Sequence, residues 1–231
     1  MAEIVYEDNH LLIAVKPPNQ LTQSDSTGDE SLQDELKGYL KEKYQKPGEV
    51  YLGLVHRMDR PVGGLVAFAR TSKAASRLSE QLRGHEMERE YLAVTQGRGW
   101  PETGELRHFL LGDEAGVKAV PEGTPGGKEA RLEYRVLGED EKTDTTLLHL
   151  KLETGRKHQI RVQLAQSGHP ILYDMRYGQG VRGRNIALWG AVLRLSHPTQ
   201  KRPMTFLSMP RGEGFAAYQP QLSAFLDSLQ P

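Results

Sequence analysis

The sequence predicts an α+β fold, a single domain over residues 1–231 built on a mixed, mostly antiparallel β-sheet with flanking helices and loops. Three observations lead there. Segments with strand character outnumber helical ones, and the helices are scattered instead of alternating with strands as in a doubly wound fold. No repeat with a period of about 20–50 residues is present. No long flexible linker divides the chain.

Ile4 to Tyr6 and Leu11 to Val15 read as a hairpin turning at Glu7-Asp8-Asn9-His10, and Pro17-Pro18 ends its second strand. Ser31 to Tyr44 is helical: Leu32, Leu36 and Leu40 recur every four residues, Ser31 is a plausible N-cap with Asp34 three residues on, and Lys46-Pro47-Gly48 ends the run. Tyr51 to His56 and Gly64 to Phe68 read as strands around a loop. Thr71 to Arg83 is a helix with Ala74, Ala75, Leu78 and Leu82 on one side, and Tyr91 to Thr95 is a strand. From Trp100 to Lys128, Gly, Pro and acids dominate, which predicts surface hairpins and loops. Ala130 to Leu137 and Thr145 to Leu152 alternate as strands. His158 to Ser167 is a helix closed by Gly168. Ile186 to Leu195 and Met204 to Leu207 are strands, and the tail from Phe215 to Leu229 ends in a small amphipathic helix.

Composition narrows the function classes. The chain has no Cys, so it has no disulfide, no thiolate nucleophile and no Cys-ligated metal. No apolar run approaches the roughly 18 residues of a membrane span. The first residues lack the basic start and apolar stretch of a signal peptide, so a cytoplasmic protein is expected. The 30 basic and 30 acidic residues cancel overall but not locally. Residues 151–211 hold 11 basic groups against 2 acids, net +9. Such a block suits a polyanion, because phosphates are met within about a Debye length; the alternative is a solvated basic surface.

Four segments carry possible chemistry. In His56-Arg57-Met58-Asp59-Arg60-Pro61-Val62-Gly63-Gly64 a carboxylate lies between two arginines on a loop, where neighbouring guanidinium groups would hold Asp59 ionised for catalysis. A turn cap or structural ion pair is the other reading. In Thr154-Gly155-Arg156-Lys157-His158-Gln159-Ile160-Arg161 a basic helix start makes an anion seat, and helical spacing would set Arg161 on one face with Lys157 and His158. A solvated helix start is the alternative. Tyr91 opens an apolar strand, where it either stacks a base or fills a core. Gly178, Gly180 and Gly183 spell GxGxxG outside any strand–turn–helix pattern, so with Arg182 and Arg184 the stretch reads as a flexible basic loop gripping phosphates, or as an ordinary turn. No HExxH pair, Walker loop or GxSxG elbow is present, which disfavours a metal- or nucleotide-dependent enzyme.

Together these segments resemble the RluA-type RNA pseudouridine synthases. VYEDNHLLIAVKPPN is similar to the family's first block, HRMDRPVGGLVAFARTSKAASRL to its catalytic-aspartate block, and EREYLAVTQG to its tyrosine strand. KEARLEYRVLG precedes LETGRKHQIRVQLAQSGHPILYDMRYG, which is similar to the third block, and ALWGAVLRLSHPTQKRPMTFLSMP resembles the closing strands. The blocks stand in the family's order over roughly residues 3–210. Val62 and Gly63 replace a common Thr-Ser pair, so the loop after Asp59 loses two hydroxyls. The S4-type RNA-binding domain that many relatives carry at the N-terminus is expected to be lacking, which would leave RNA selection to the catalytic domain.

The resemblance implies conversion of uridine to pseudouridine within structured RNA, ribosomal or transfer, by an isomerisation without redox, and therefore without cofactor or metal. Asp59 would be the essential carboxylate, attacking C1′ or abstracting a ribose proton. Arg161 would be its salt-bridge partner and Tyr91 would stack on the flipped uracil with its hydroxyl near C5. Arg57 would fill the gap left by the flipped base, and Arg156, Lys157, Arg182 and Arg184 would meet phosphates. A monomer with no membrane partner is expected. The competing reading is an RNA-binding or ribosome-assembly protein that kept the fold and lost catalysis.

Overall fold

The computed structural model describes residues 2–112 and 116–230, which fold as two compact units. The first comprises residues up to Arg89 together with Gly190–Ser208, and the second Glu90–Trp189 with the chain from Met209 onward.

In the first unit, β1 (Glu3–Glu7) and β2 (Leu11–Lys16) form the expected antiparallel hairpin. Its turn is closed by Asp8, whose Oδ1 accepts from the backbone N–H groups of His10 at 2.7 Å and Leu11 at 2.8 Å. Burial raises the Asp8 carboxyl, but these bonds and those from Tyr6 and His197 outweigh it and hold the group at about 2. β4 (Gly63–Ala69) pairs antiparallel with β2 and is followed in the sheet order by β10 (Leu188–Ser196), whose edge carries β11 (Pro203–Leu207). Every residue of β2 and β4 is buried, so both read as continuous apolar runs. Gly64 sits at φ +129°, and a Cβ there would overlap the backbone of Gly190, so only glycine fits this close approach.

β3 is limited to Gly53–Leu54, against the strand expected over Tyr51 to His56. The reason is local: the Nε2 of buried His56 accepts the Ala67 N–H at 3.1 Å, so a side chain takes a bond that a backbone ladder would have used. Burial pushes that imidazole down to about 3, which keeps it an acceptor. α1 (Leu32–Lys43) follows the sequence expectation, with Leu32, Leu36 and Leu40 buried and a capping box between Ser31 and Asp34. α2 (Ser72–Arg83) is capped by the Thr71 hydroxyl. Its Gln81 both donates to the Ser196 carbonyl at 2.8 Å and accepts from the Ser196 N–H at 2.9 Å, tying the helix to the end of β10.

The second unit holds an antiparallel sheet in the order β5 (Glu88–Gln96), β9 (Thr145–Leu152), β8 (Lys128–Asp140), β6 (Thr103–Gly112), β7 (Val117–Val120). The stretch expected as surface hairpins and loops contains the β6–β7 hairpin, whose first strand runs for ten residues and also pairs with β8. The alternation of Leu106, His108 and Leu110 with charged neighbours was masked by the surrounding Gly and Glu. Residues 113–115 of that stretch lie outside the described residues.

Alternation divides the sheet into two faces. One carries Tyr91, Leu150, Tyr134, Leu132 and Ala130, and α3 (Gln159–Gln166) covers it through Val162, which packs with Ala130, Leu110 and Val117. Gly168 and His169 close α3 with N–H bonds to Ala165 at 3.0 Å and Leu164 at 3.1 Å, a Schellman arrangement around the expected glycine at φ +85°. The other face carries Glu90, His149 and Lys151. It is met by α4 (Gln219–Asp227), which follows a 3₁₀ turn over Glu213–Tyr218 and stacks Phe225 on His149 at 4.7 Å.

His149 Nε2 lies 2.7 Å from the buried Glu90 carboxylate. Burial, with Arg135 and Lys151 beside it, pushes the ring down to about 4, so at neutral pH the uncharged ring meets Glu90 through Nε2. The folded value lies below the unfolded 6.5, so as pH falls the unfolded chain takes the proton first. Stability should therefore drop by about 1–3 kcal/mol between pH 6.5 and 4 on this account. Urea midpoints should show that drop in the parent, and His149→Gln should flatten it.

The α+β expectation, with mostly antiparallel strands, agrees with the observed architecture.

Candidate active site

Asp59 stands on the loop between β3 and β4, and residues from the end of β2 and the segment after it hold that loop. Lys16, the last residue of β2, is paired with Gly64 at the start of β4, which brings its side chain under the loop. Lys16 is fully buried, and its Nζ donates to the carbonyls of Gln20 at 2.7 Å, Arg60 at 2.9 Å and Pro17 at 3.0 Å. Three acceptors match the three donors of an ammonium group. Burial lowers the Lys16 amine to about 7, and the charge of Asp59 works to raise it. The Thr22 hydroxyl donates to the Met58 carbonyl at 3.0 Å and accepts the Met58 N–H at 3.2 Å. The Val62 N–H bonds the Asp59 carbonyl at 3.0 Å, closing a four-residue turn.

Within this loop Met58 is buried, Arg57 is exposed and Asp59 is half-buried. Of the two arginines flanking Asp59, Arg60 also holds the loop to upstream residues. Its Nε donates to the Asn19 carbonyl at 3.1 Å and its Nη2 pairs with Asp29 at 2.7 Å, so this guanidinium anchors the loop to the segment before α1. From within the core, Lys16 feels the charge of Asp59.

The other two catalytic candidates belong to the second unit. Tyr91 is 8% exposed on β5, opposite Leu150, and shares its sheet face with α3. Arg161 is buried in α3 and grips Asp174 in bidentate fashion, Nε to Oδ2 and Nη2 to Oδ1, both at 2.8 Å. Asp174 Oδ1 also accepts the N–H groups of Arg176 at 2.9 Å and Tyr177 at 3.2 Å. Burial raises the Asp174 carboxyl; the Arg161 charge and these bonds outweigh it, and the net displacement is downward. The Tyr177 ring lies 5.1 Å from the Arg161 guanidinium, and its hydroxyl meets His158 Nδ1 at 2.7 Å. Asp174 and Tyr177 thus fix the orientation of Arg161.

Arg161 does not share a face with Lys157. The helix begins at Gln159, one residue later than expected, because His158 adopts a left-handed conformation at φ 55° and Gln159 clasps the preceding turn. The Gln159 side chain accepts from the Arg156 N–H and the Thr154 hydroxyl and donates to the Arg131 carbonyl. Arg156 and Lys157 are therefore exposed on a tight loop while Arg161 is buried. Arg156 Nε is occupied by the Glu129 carbonyl at 2.9 Å. Arg182 and Arg184 are exposed on the loop that follows Asp174, where Arg184 pairs with Glu213 at 2.6 Å. The GxGxxG glycines lie on this loop with no helix after them.

Lys16 and Asp174 escaped the sequence reading, and each left a signal. Lys16 ends a wholly apolar strand immediately before Pro17-Pro18, and Asp174 is one of two acids in the +9 block. A cavity of about 510 Å³ lies elsewhere, on the sheet face opposite Tyr91, lined by Glu90, Glu133, Arg135, His149, Lys151 and Phe225 among others. Among the described residues no helix is long and apolar enough to cross a membrane, and no three acidic or His side chains cluster to hold a metal ion.

Comparison with known proteins identifies the family. The family model for RNA pseudouridylate synthase matches residues 10–166, which run from β2 through the Asp59 loop to α3. The uncharacterized RNA pseudouridine synthase YhcT of Bacillus subtilis is 33% identical over 198 residues, covering 85% of this chain and 64% of the relative. Ribosomal large subunit pseudouridine synthase C of Escherichia coli is 31% identical over 227 residues, covering 91% of this chain and 67% of the relative. The chain thus spans about two thirds of the length of these relatives. Human RNA pseudouridylate synthase domain containing 4 shares the fold, with a TM-score of 0.76 and 22% identity over 96% of this chain and 93% of that one. With the family model matching more than half of its residues, the chain belongs to the RNA pseudouridylate synthase family.

Proposed function

We propose that the protein isomerises uridine to pseudouridine within structured RNA, with Asp59 as the reacting carboxylate. The observation that carries this reading is the Asp59 loop itself: a half-buried acid on a turn held by a fully buried lysine with three carbonyl ligands. Such support fixes an acid in place, as attack at C1′ or removal of a ribose proton requires. The N1–C1′ bond breaks, the uracil turns, and C5 joins C1′ as C5 gives up its proton. No atom is gained or lost, so the reaction needs no co-reactant.

In this scheme Tyr91 stacks on the flipped uracil and its hydroxyl serves the C5 proton. Arg161 is the cation serving the carboxylate, a role supported by the fixed orientation that Asp174 and Tyr177 impose on it. Arg57, exposed beside Asp59, fills the gap left by the base. Arg156, Lys157, Arg182 and Arg184 hold phosphates from exposed loops. The names of the large-subunit relatives make ribosomal RNA the first substrate to test, with transfer RNA second. The cell's cytoplasm is the matching compartment, and a monomer suffices for the reaction.

Release of tritium from RNA labelled at uridine C5 tests the scheme, since exchange of that proton accompanies every turnover. The parent should release it. Tyr91→Phe should keep the stacking ring and bind RNA as before, but release tritium about 100-fold more slowly. Tyr91→Ala should lose affinity as well, because base stacking is worth roughly 1–3 kcal/mol. A Tyr91→Phe variant as fast as the parent would confine Tyr91 to stacking or core packing.

A further inference from the structure

The turn that follows the buried Arg161–Asp174 pair presents an apolar side chain to solvent. Met175 is 65% exposed, the largest exposure among the large hydrophobic residues described, and Val181 on the same loop is 46% exposed. An isolated exposed methionine is ordinary. This one sits on a turn held at several points. Asp174 accepts from the backbone of Arg176 and Tyr177 on one side. Its own N–H bonds Ile171 at 3.1 Å, and its carbonyl accepts from Gly178 at 3.1 Å. Tyr173, just before it, adopts φ 65°, a conformation that non-glycine residues keep only where the surroundings impose it. A Cβ on Gly180 would collide with Met175, so the far side of the loop is closed down on this residue. Met175 is therefore an apolar knob on a braced turn.

Its surroundings specify the partner. Residues 175–184 contain Arg176, Arg182 and Arg184 and no acid. Arg184 is engaged by the Tyr173 hydroxyl at 2.9 Å and by Glu213. No hydrogen bond or ion pair joins the exposed guanidinium groups of Arg176 and Arg182 to another side chain among the described residues. An apolar contact framed by exposed arginines does not suit a typical protein partner, which would have to supply acids to meet them. It suits RNA, where phosphates neutralise the arginines and an unstacked base offers an apolar face.

We infer that residues 175–184 form an RNA-reading arm in which Met175 packs against a nucleobase while Arg176 and Arg182 hold the flanking phosphates. The inference rests on the RNA substrate class proposed above. A methionine accepts any base face because its thioether is polarizable and its chain adapts. The arm would thus grip unpaired nucleotides with little sequence preference.

The test compares binding to a single-stranded oligouridylate of about twelve nucleotides with binding to an abasic ribose-phosphate oligomer of equal length. The parent should prefer the oligouridylate. Met175→Gln, similar in length and on the surface, should lose about fivefold or more on the oligouridylate, the low end of the base-stacking range, and nothing on the abasic oligomer. Arg182→Ala should weaken both and lower the salt slope by about one. Unchanged oligouridylate affinity in Met175→Gln overturns the inference, as does equal affinity of the parent for both oligomers. Absence of binding to either also overturns it and points to a protein on this face. Uridine conversion measured in parallel separates the two claims. Conversion with a silent Met175→Gln removes the arm alone, whereas base-dependent binding without conversion removes the reaction alone.

Discussion

Asp59→Asn is expected to leave the fold and RNA affinity intact and to reduce turnover by about 1,000-fold or more. The amide matches the carboxylate in shape, and the Lys16, Thr22 and Val62 bonds that hold the loop all go to backbone atoms of residues 58–60, so they are kept. What disappears is the negative charge, and with it the capacity to act as nucleophile or base. Urea unfolding and RNA titration of the purified variant should overlay the parent, while tritium release falls to background. Mass spectrometry must exclude deamidation back to Asp. Full turnover in a clean Asn preparation would remove Asp59 from the chemistry.

Lys16→Met is expected to have the second largest effect, by a different route. It preserves the length and apolar stem of the side chain and removes the donors. The carbonyls of Pro17, Gln20 and Arg60 then lose their common partner, the fully buried Lys16 ammonium. Each unsatisfied buried acceptor costs about 1–3 kcal/mol, partly relieved by local rearrangement, so a loss of about 3 kcal/mol is expected. That is a large fraction of a typical domain stability of about 5–15 kcal/mol. The released Arg60 carbonyl lies next to Asp59, so turnover should fall in the fraction that remains folded. Lys16→Arg should not rescue, because a planar guanidinium does not present three donors to three carbonyls around one point. An unchanged urea midpoint in Lys16→Met would show that the lysine does not organise the loop.

These two residues illustrate how far the sequence reaches. Asp59 was legible because its surroundings, a strand, a loop and a Pro-Val-Gly-Gly turn, are contiguous. Helix α1 was legible for the same reason: Leu32, Leu36, Leu40 and the Ser31–Asp34 box lie within one segment. Lys16 was not legible, since one of its acceptors lies 44 residues away and appears only when β2 pairs with β4. The other partners of Arg60 were hidden for a related reason: its guanidinium reaches residues 19 and 29, which adjacency along the chain does not show. Arg161 was identified by the resemblance to the family's third block, while its Asp174 partner depends on a turn between α3 and β10 that periodicity does not describe. The late start of α3 at Gln159 was hidden too, because a side-chain clasp and a left-handed His158, both tertiary features, decide it.

The central claim, uridine isomerisation by this chain's own carboxylate, is tested most directly by site-resolved mapping. Purified protein is incubated with total RNA in EDTA, and pseudouridine is read by its specific chemical adduct, with Asp59→Asn treated alongside. The account predicts new pseudouridine at one or a few uridines with the parent, undiminished by EDTA, and none with the Asn variant. RNA that the parent binds but leaves unmodified at every position, or equal modification by both proteins, would contradict it.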